Sequence, residues 1–466
     1  SLALSGRRGA ALTQYETCRD ILSDELGVEP GGDTTKLYEQ IRDGSFSRGA
    51  EKRWGRGGVA GSPGPLSGIP AAEPPSFLDE DVTLDVDPPV FVARERELAQ
   101  LDRFLDGALA GRGRVVFVTG EAGGGKTALM EAFVRRAQDL HADLVAASGS
   151  CSAYTGMGDP YSPFRQILGL LTGDVEARWA AGVITAEHAR RLWRMLPLTV
   201  HALAEHGPDL VDTFVLRQPL LRRATLYETA AGRAGAPDSA PGWERWLDRL
   251  RDVVGHRPIG GGLLGTQQVA IFAQYARVVQ GLALHAPLVL VLDDLQWADA
   301  GSINLLFNLG RQLAGSRVLI LGAYRPEEVA LGRAGERHPL DPVVNEFRRL
   351  FGDICVDLGQ AEKRDFVKAF LDSEPNRLGP SFREMLYRQT DGLPLFTIEL
   401  LRGLQERGDL AQDAEGCWVE GATLDWERLP ARVEAVFAER MGRLPTPLQA
   451  VLRVASVEGE VFTSEV

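Results

Sequence analysis

The run Gly-Glu-Ala-Gly-Gly-Gly-Lys-Thr at 120–127 constrains this chain more than any other feature. It follows the apolar stretch 115–119, which reads as a buried strand, and opens a helical pattern running from Lys126 to about Leu140. In a strand–loop–helix of this kind, consecutive backbone N–H groups turn inward around phosphate oxygens and the helix N-terminus adds a favourable dipole. The spacing assigns the roles. Gly120, Glu121, Ala122, Gly123, Gly124, Gly125, Lys126, Thr127 and Ala128 form the cradle. Lys126 supplies a point charge to the β- and γ-phosphates, and Thr127 offers a hydroxyl to Mg²⁺. The competing reading is a glycine-rich turn that fits by accident. With 52 glycines in 466 residues and only five lysines, chance gives roughly 0.006 such matches, so the phosphate reading is favoured.

A second apolar run, 288–292, ends in Asp293 and Asp294. Parallel sheets bind ligands beyond the carboxyl ends of their strands, which is also where a phosphate loop lies. Asp293 is thereby expected in the Mg²⁺ shell, and Asp294 as the group that orients or deprotonates an attacking water. An acidic strand end facing solvent is the bland alternative. Arg325 ends the next strand, where its guanidinium can reach and report a γ-phosphate; the plain reading pairs it with Glu327 or Glu328. Lys126, Asp294 and Arg325 are the expected catalytic set. Gly392 and Pro394 interrupt a helical stretch, either to bring an apolar edge onto a base or as a turn between helices. The seven histidines show no metal spacing: His201 and His206 lie five apart, one more than a shared helical face needs.

Strands at 115–119, 144–147, 288–292, 318–323 and 354–356 alternate with helical segments, which predicts an α/β fold with a parallel sheet covered on both faces. The stretch 160–280 reads as mostly helical, with breaks at Pro197, at Gly207 and Pro208, within 232–242 and at 260–262. The expected organisation is a pair of helices over 1–46, a Pro/Gly-rich linker over 47–89, a nucleotide domain over 90–358, a helical lid over 359–443, with 429–443 its clearest amphipathic stretch, and the start of a further helical or winged-helix domain over 444–466. Two helices alone cannot bury both faces, and the chain starts without Met, so it reads as a piece of a longer protein.

A formal charge of −13 argues against a chain-wide nucleic-acid or membrane-surface role. No apolar run approaches the roughly 18 residues needed to span a bilayer. Cys18, Cys151, Cys355 and Cys417 lie far apart and form no CxxC, which fits a reduced cytoplasm.

Phe91-Val-Ala-Arg-Glu-Arg-Glu-Leu98, the loop at 120–127, Leu292-Asp-Asp-Leu-Gln-Trp-Ala-Asp299, Tyr324-Arg325 and Gly392-Leu-Pro-Leu-Phe396 occur in an order that resembles STAND-class regulatory ATPases, AAA-related P-loop NTPases of large bacterial transcriptional regulators. Tyr15-Glu-Thr-Cys-Arg19 and Glu25-Leu-Gly-Val-Glu-Pro30 resemble the last helices of a bacterial transcriptional activator domain, the helical, TPR-like module of SARP-type regulators. The resemblance implies that Phe91 and Val92 lie near adenine and that Pro394 touches the base from the lid. It also implies DNA binding for the parent protein, through domains absent from this chain. Ala93 departs from the usual Gly, Gly124 from the common Ile and Leu393 from the common Asn.

The function expected is an ATP-binding, slowly hydrolysing switch in a cytoplasmic transcriptional regulator, with ATP/ADP and Mg²⁺ as cofactors, self-association on ATP binding, an unidentified signalling ligand or protein, and no membrane partner. The alternatives are a turnover P-loop ATPase or kinase, and a nucleotide-independent scaffold.

Overall fold

In a computed structural model of the chain, the residues described are 74–79, 91–152, 160–233, 246–255, 264–332, 337–360, 363–421 and the single positions 424, 426 and 449. The helix pair of 1–46, most of the 47–89 linker, the break at 260–262, the amphipathic stretch 429–443 and, apart from position 449, the segment 444–466 lie outside them. The fold divides into two compact units. The first takes in 74–79, 98–119 and the described part of 130–356; the second takes in 91–97, 120–129 and the described residues from 357 onward.

The first unit is built on a five-stranded sheet, β1 (Arg114–Thr119), β2 (Val145–Ser150), β3 (Leu288–Asp293), β4 (Val318–Tyr324) and β5 (Cys355–Asp357), in the order β2-β3-β4-β1-β5. β2 pairs with β3, β3 with β4 and β4 with β1, all parallel; Ile320 of β4 stands opposite both Leu290 and Val115. Every residue of β4 is buried, and β3 is buried up to Asp293. Unbroken apolar runs rather than alternating ones are what a sheet covered on both faces requires. Because β1 and β3 run the same way, Thr119 and Asp293 end at one edge of the sheet.

Helices make the crossovers. Helix α1 (Ser76–Asp79) precedes α2 (Glu95–Leu109), and α3 (Lys126–Leu140) joins β1 to β2. Between β2 and β3 the chain inserts α4 (Ser162–Leu171), α5 (Glu176–Ala180), α6 (Ala186–His206), α7 (Arg217–Arg233), α8 (Trp246–Gly255) and α9 (Leu264–His285). α10 (Ala300–Arg311) leads to β4, and α11 (Pro326–Leu331) and α12 (Leu340–Phe351) lead to β5. The inserted helices share one core with the sheet, in which Tyr227 packs tilted on Trp193 and edge-on to Trp246, and the buried Tyr275 hydroxyl donates to the Phe164 carbonyl at 3.0 Å.

Pro197 does not break the chain as expected; it lies inside the 21-residue α6. A proline inside a helix costs about 3 kcal/mol. Leu192, Trp193, Met195, Leu196 and Leu198 are buried around it, and burying several side chains at roughly 1.5–3 kcal/mol each outweighs that cost.

The linker reading fails over 74–79. Leu78 is fully buried in the core of the first unit, its carbonyl accepts from Arg190 at 2.8 Å, and Phe77 packs on Trp179 with ring centroids 5.7 Å apart. One apolar pair inside a Pro-rich stretch suffices to anchor it, a signal that composition averages away.

In the second unit α13 (Lys363–Leu371), α14 (Pro380–Thr390) and α15 (Pro394–Arg407) pack around Phe366, Val367, Leu386, Leu400 and Leu404. This stretch is not helical throughout: β6 (Leu410–Gln412) and β7 (Trp418–Glu420) form an antiparallel ribbon, tied down by the Trp418 indole donating to Glu374 at 2.6 Å. Three-residue strands are too short to show a period of two. Among the described residues no helix is long and apolar enough to cross a membrane.

If Leu78 anchors the segment, Leu78→Ala lowers the free energy of unfolding by roughly 2–4 kcal/mol in a urea titration. A free linker would leave the midpoint unchanged.

Candidate functional site

The loop at 120–127 carries its glycines where the backbone demands them. Gly123 and Gly125 sit at φ 77° and 88°, the left-handed region closed to most side chains. A β-carbon on Gly123 would also stand 2.8 Å from that of Leu395. The Lys126 side chain, 6% exposed, folds back over the loop and donates to the carbonyls of Gly120 at 3.0 Å and Glu121 at 2.8 Å. Thr127 and Ala128 are exposed in the first turn of α3.

Other residues of the second unit hold this loop from two directions. The N–H of Leu395, in the first turn of α15, donates to the Gly123 carbonyl at 3.1 Å. Arg94, buried and paired with Glu97, donates to the Gly124 carbonyl at 3.2 Å. Beside the loop lies a shallow cleft, open to solvent, lined by Arg94, Glu121, Gly124, Leu358, Gly359, Lys363, Phe366, Gly392, Leu393 and Pro394. Lys363 donates to Asp391 at 2.6 Å and lies 3.7 Å from Glu121. The bond to Asp391 raises the pKa of its ammonium, against a smaller opposing effect of burial. Gly392 has φ 64°, and a β-carbon there would meet the Lys363 carbonyl at 2.6 Å, so only glycine fits this turn.

Pro394 lines the cleft together with Gly124. Phe91 and Val92 do not line it. Both are half-buried, and Val92 and Ala93 pack instead against the helical core around Phe366. Ala93 sits at φ 54°, the left-handed region that disfavours a β-carbon.

In the first unit Asp293 and Asp294 end β3. The chain turns sharply at Asp294, which adopts φ 55° and ψ 41° with its N–H on Asp293 Oδ1 at 2.8 Å. A single 3₁₀ turn, Leu295–Trp297, follows. Gln296 Nε2 donates to Asp294 Oδ1 at 2.7 Å, and Arg325 Nη2 lies 3.9 Å from the same oxygen. Arg325 is held chiefly by Glu328, at 2.7 Å, as the plain reading of the sequence had it, yet it also stands beside Asp294. Asp299, the last residue of the Leu292–Asp299 motif, is a helix cap: it accepts from the Ser302 N–H at 2.9 Å at the start of α10 and from the Tyr161 N–H at 3.3 Å.

Arg94, Lys363, Gln296 and His338 are contacts that sequence reasoning missed. Arg94 and Gln296 stood inside quoted motifs without a role. Lys363 is one of five lysines, and that scarcity was the available signal. His338 is 1% exposed, with Nε2 3.0 Å from the Gln296 carbonyl, and nothing local marks it.

Residues 90–321 match the family model of the AAA ATPase domain, and residues 1–42 that of the bacterial transcriptional activator domain. Among solved structures, that of Cdc6p from Pyrobaculum aerophilum aligns at 15% identity with a TM-score of 0.34, covering 72% of this chain and 68% of that one. No curated protein matches the chain.

Replacing Ala93 by Gly removes the left-handed strain and is expected to raise the melting temperature, by the equivalent of roughly 1 kcal/mol. A lower melting temperature would mean that the Ala93 methyl contributes more by packing than its backbone costs.

Proposed function

We propose that this chain, which joins an AAA ATPase domain at 90–321 to a bacterial transcriptional activator domain at 1–42, is an ATP-dependent switch of the STAND class in a cytoplasmic transcriptional regulator. The observation that carries the reading is the loop itself. Left-handed glycines at 123 and 125 and the buried Lys126 ammonium, already facing oxygen acceptors, are what a polyphosphate cradle needs.

The residues also fit Mg²⁺. The Thr127 hydroxyl and the Asp293 carboxylate are hard oxygen donors, and Mg²⁺ is commonly held by one or two such groups, with phosphates and water completing its shell. When bound, it neutralises charge on the β- and γ-phosphates. Lys126 would exchange its carbonyl acceptors for phosphate oxygens, so that the acceptor as well as the donor of the bond is ionised. Asp294 would orient the water or accept its proton, and Arg325, a fork suited to phosphate, would report the γ-phosphate. Pro394 and Leu393 would border the base. ADP would favour the form in which the lid rests on the loop, as Leu395 does on Gly123, and ATP an open or self-associating form. Turnover would be slow, since a switch needs long-lived states. A signalling ligand or protein acts by differential affinity for the two forms.

The activator domain supports a tie to transcription. The net charge of −13 disfavours a long DNA contact by this segment itself.

Calorimetry with Mg²⁺ and ATP or ADP tests the reading. The unmodified chain should bind at micromolar or tighter affinity. Lys126→Ala should lose about 1.5–3 kcal/mol of charge-assisted contact, which is roughly 10- to 150-fold in affinity. No binding in either protein would make the loop a degenerate one.

A further inference from the structure

Gln296 is 1% exposed, and an amide this deeply buried must have its donors and acceptor met inside the protein. Its Oε1 accepts the backbone N–H of Arg325 at 3.2 Å. A backbone N–H can only donate, so the oxygen must face Arg325, and the amide nitrogen is thereby turned to Asp294 Oδ1 at 2.7 Å. The side chain is a strut between the carboxylate that ends β3 and the residue that follows β4.

The strut is itself braced. The Leu340 N–H donates to His338 Nδ1 at 3.2 Å, which leaves the proton on Nε2, and Nε2 donates to the Gln296 carbonyl at 3.0 Å. The start of α12 thereby clamps the 3₁₀ turn from behind. The turn needs clamping, because Asp294 adopts a left-handed conformation that only a well-determined surrounding sustains in a non-glycine residue. Asp294 Oδ1 thus accepts from Gln296 in its own turn and faces the Arg325 guanidinium, just beyond β4, as an ion pair at 3.9 Å, with Glu328 holding Arg325 in place.

We infer that Gln296 is a positioning residue for ATP hydrolysis, which aims the Asp294 carboxylate and couples it to Arg325 so that the two groups move together. The inference rests on the nucleotide-switch reading above, and on Asp294 being the group that orients water.

Gln296→Glu keeps the shape and an oxygen opposite the Arg325 N–H, but replaces the donor facing Asp294 by a second acceptor. Gln296→Met removes both bonds at nearly constant volume. Each is measured in the full chain by single-turnover hydrolysis of radiolabelled ATP, with nucleotide affinity by calorimetry and melting temperature alongside. Hydrolysis is expected to fall roughly 10- to 100-fold, as for other residues that orient an acting group through a hydrogen bond. Affinity should stay within about twofold, and in an Asp294→Asn background the same substitutions should change the rate by less than about twofold, because the positioned group is already gone. A structural role predicts otherwise: equal losses in both backgrounds, or affinity and melting temperature falling with the rate, and either result overturns the inference. Unchanged hydrolysis in both variants overturns it too, as does an unmodified chain that binds ATP without turning it over, which would leave the binding switch standing. Absence of ATP binding would remove the switch reading and this inference together.

Discussion

A buried ammonium group must meet oxygen at its N–H bonds, because little else in a protein interior replaces its water. Lys126 meets that demand with the carbonyls of Gly120 and Glu121, members of the loop that its own helix terminates. The loop can curl back on the lysine because Gly123 and Gly125 occupy backbone conformations that side chains disfavour. The glycines, the helix start and the cation therefore form one device. Removing the strand before it or the helix after it would leave the cation no reason to be buried there. The Leu395 N–H on Gly123 and the Arg94 guanidinium on Gly124 attach to the carbonyls of this same loop, so the second unit is tied to it at both points.

The other half of the chemistry depends on a different constraint, the parallel sheet. Strands buried on both faces can place polar side chains only at their ends. In β3 the change comes at Asp293, where burial stops, and the backbone then turns through the strained Asp294. Strain at a strand end is stable only if neighbours over-determine it. Gln296, His338 and the Arg325–Glu328 pair provide those neighbours, drawn from the turn itself, from the residues just before α12 and from the junction of β4 with α11.

Much of this was legible in the residues. The strands announced themselves as short apolar runs, and the loop by the spacing of its glycines and lysine. What escaped was set by contacts distant in sequence. Leu78 lies in a segment whose composition says linker, yet its burial depends on Arg190 and on the inserted helices more than a hundred residues away. Pro197 should have broken α6, but tertiary burial overrode the local cost. Val92 packs with the helical core around Phe366, and the cleft beside the loop takes Arg94 and Lys363, which no local pattern marked. The amide of Gln296 is one of many in the chain, and only its burial and its two bonds single it out.

The central claim is that the loop at 120–127 is a polyphosphate cradle with Lys126 waiting on stand-in acceptors. A crystal structure of the chain grown with saturating ADP and Mg²⁺ tests it most directly. The claim predicts the diphosphate against the loop's backbone N–H groups, with Lys126 Nζ swung from the Gly120 and Glu121 carbonyls onto a phosphate oxygen. A structure in which Lys126 keeps both carbonyls while the loop holds no nucleotide would contradict it.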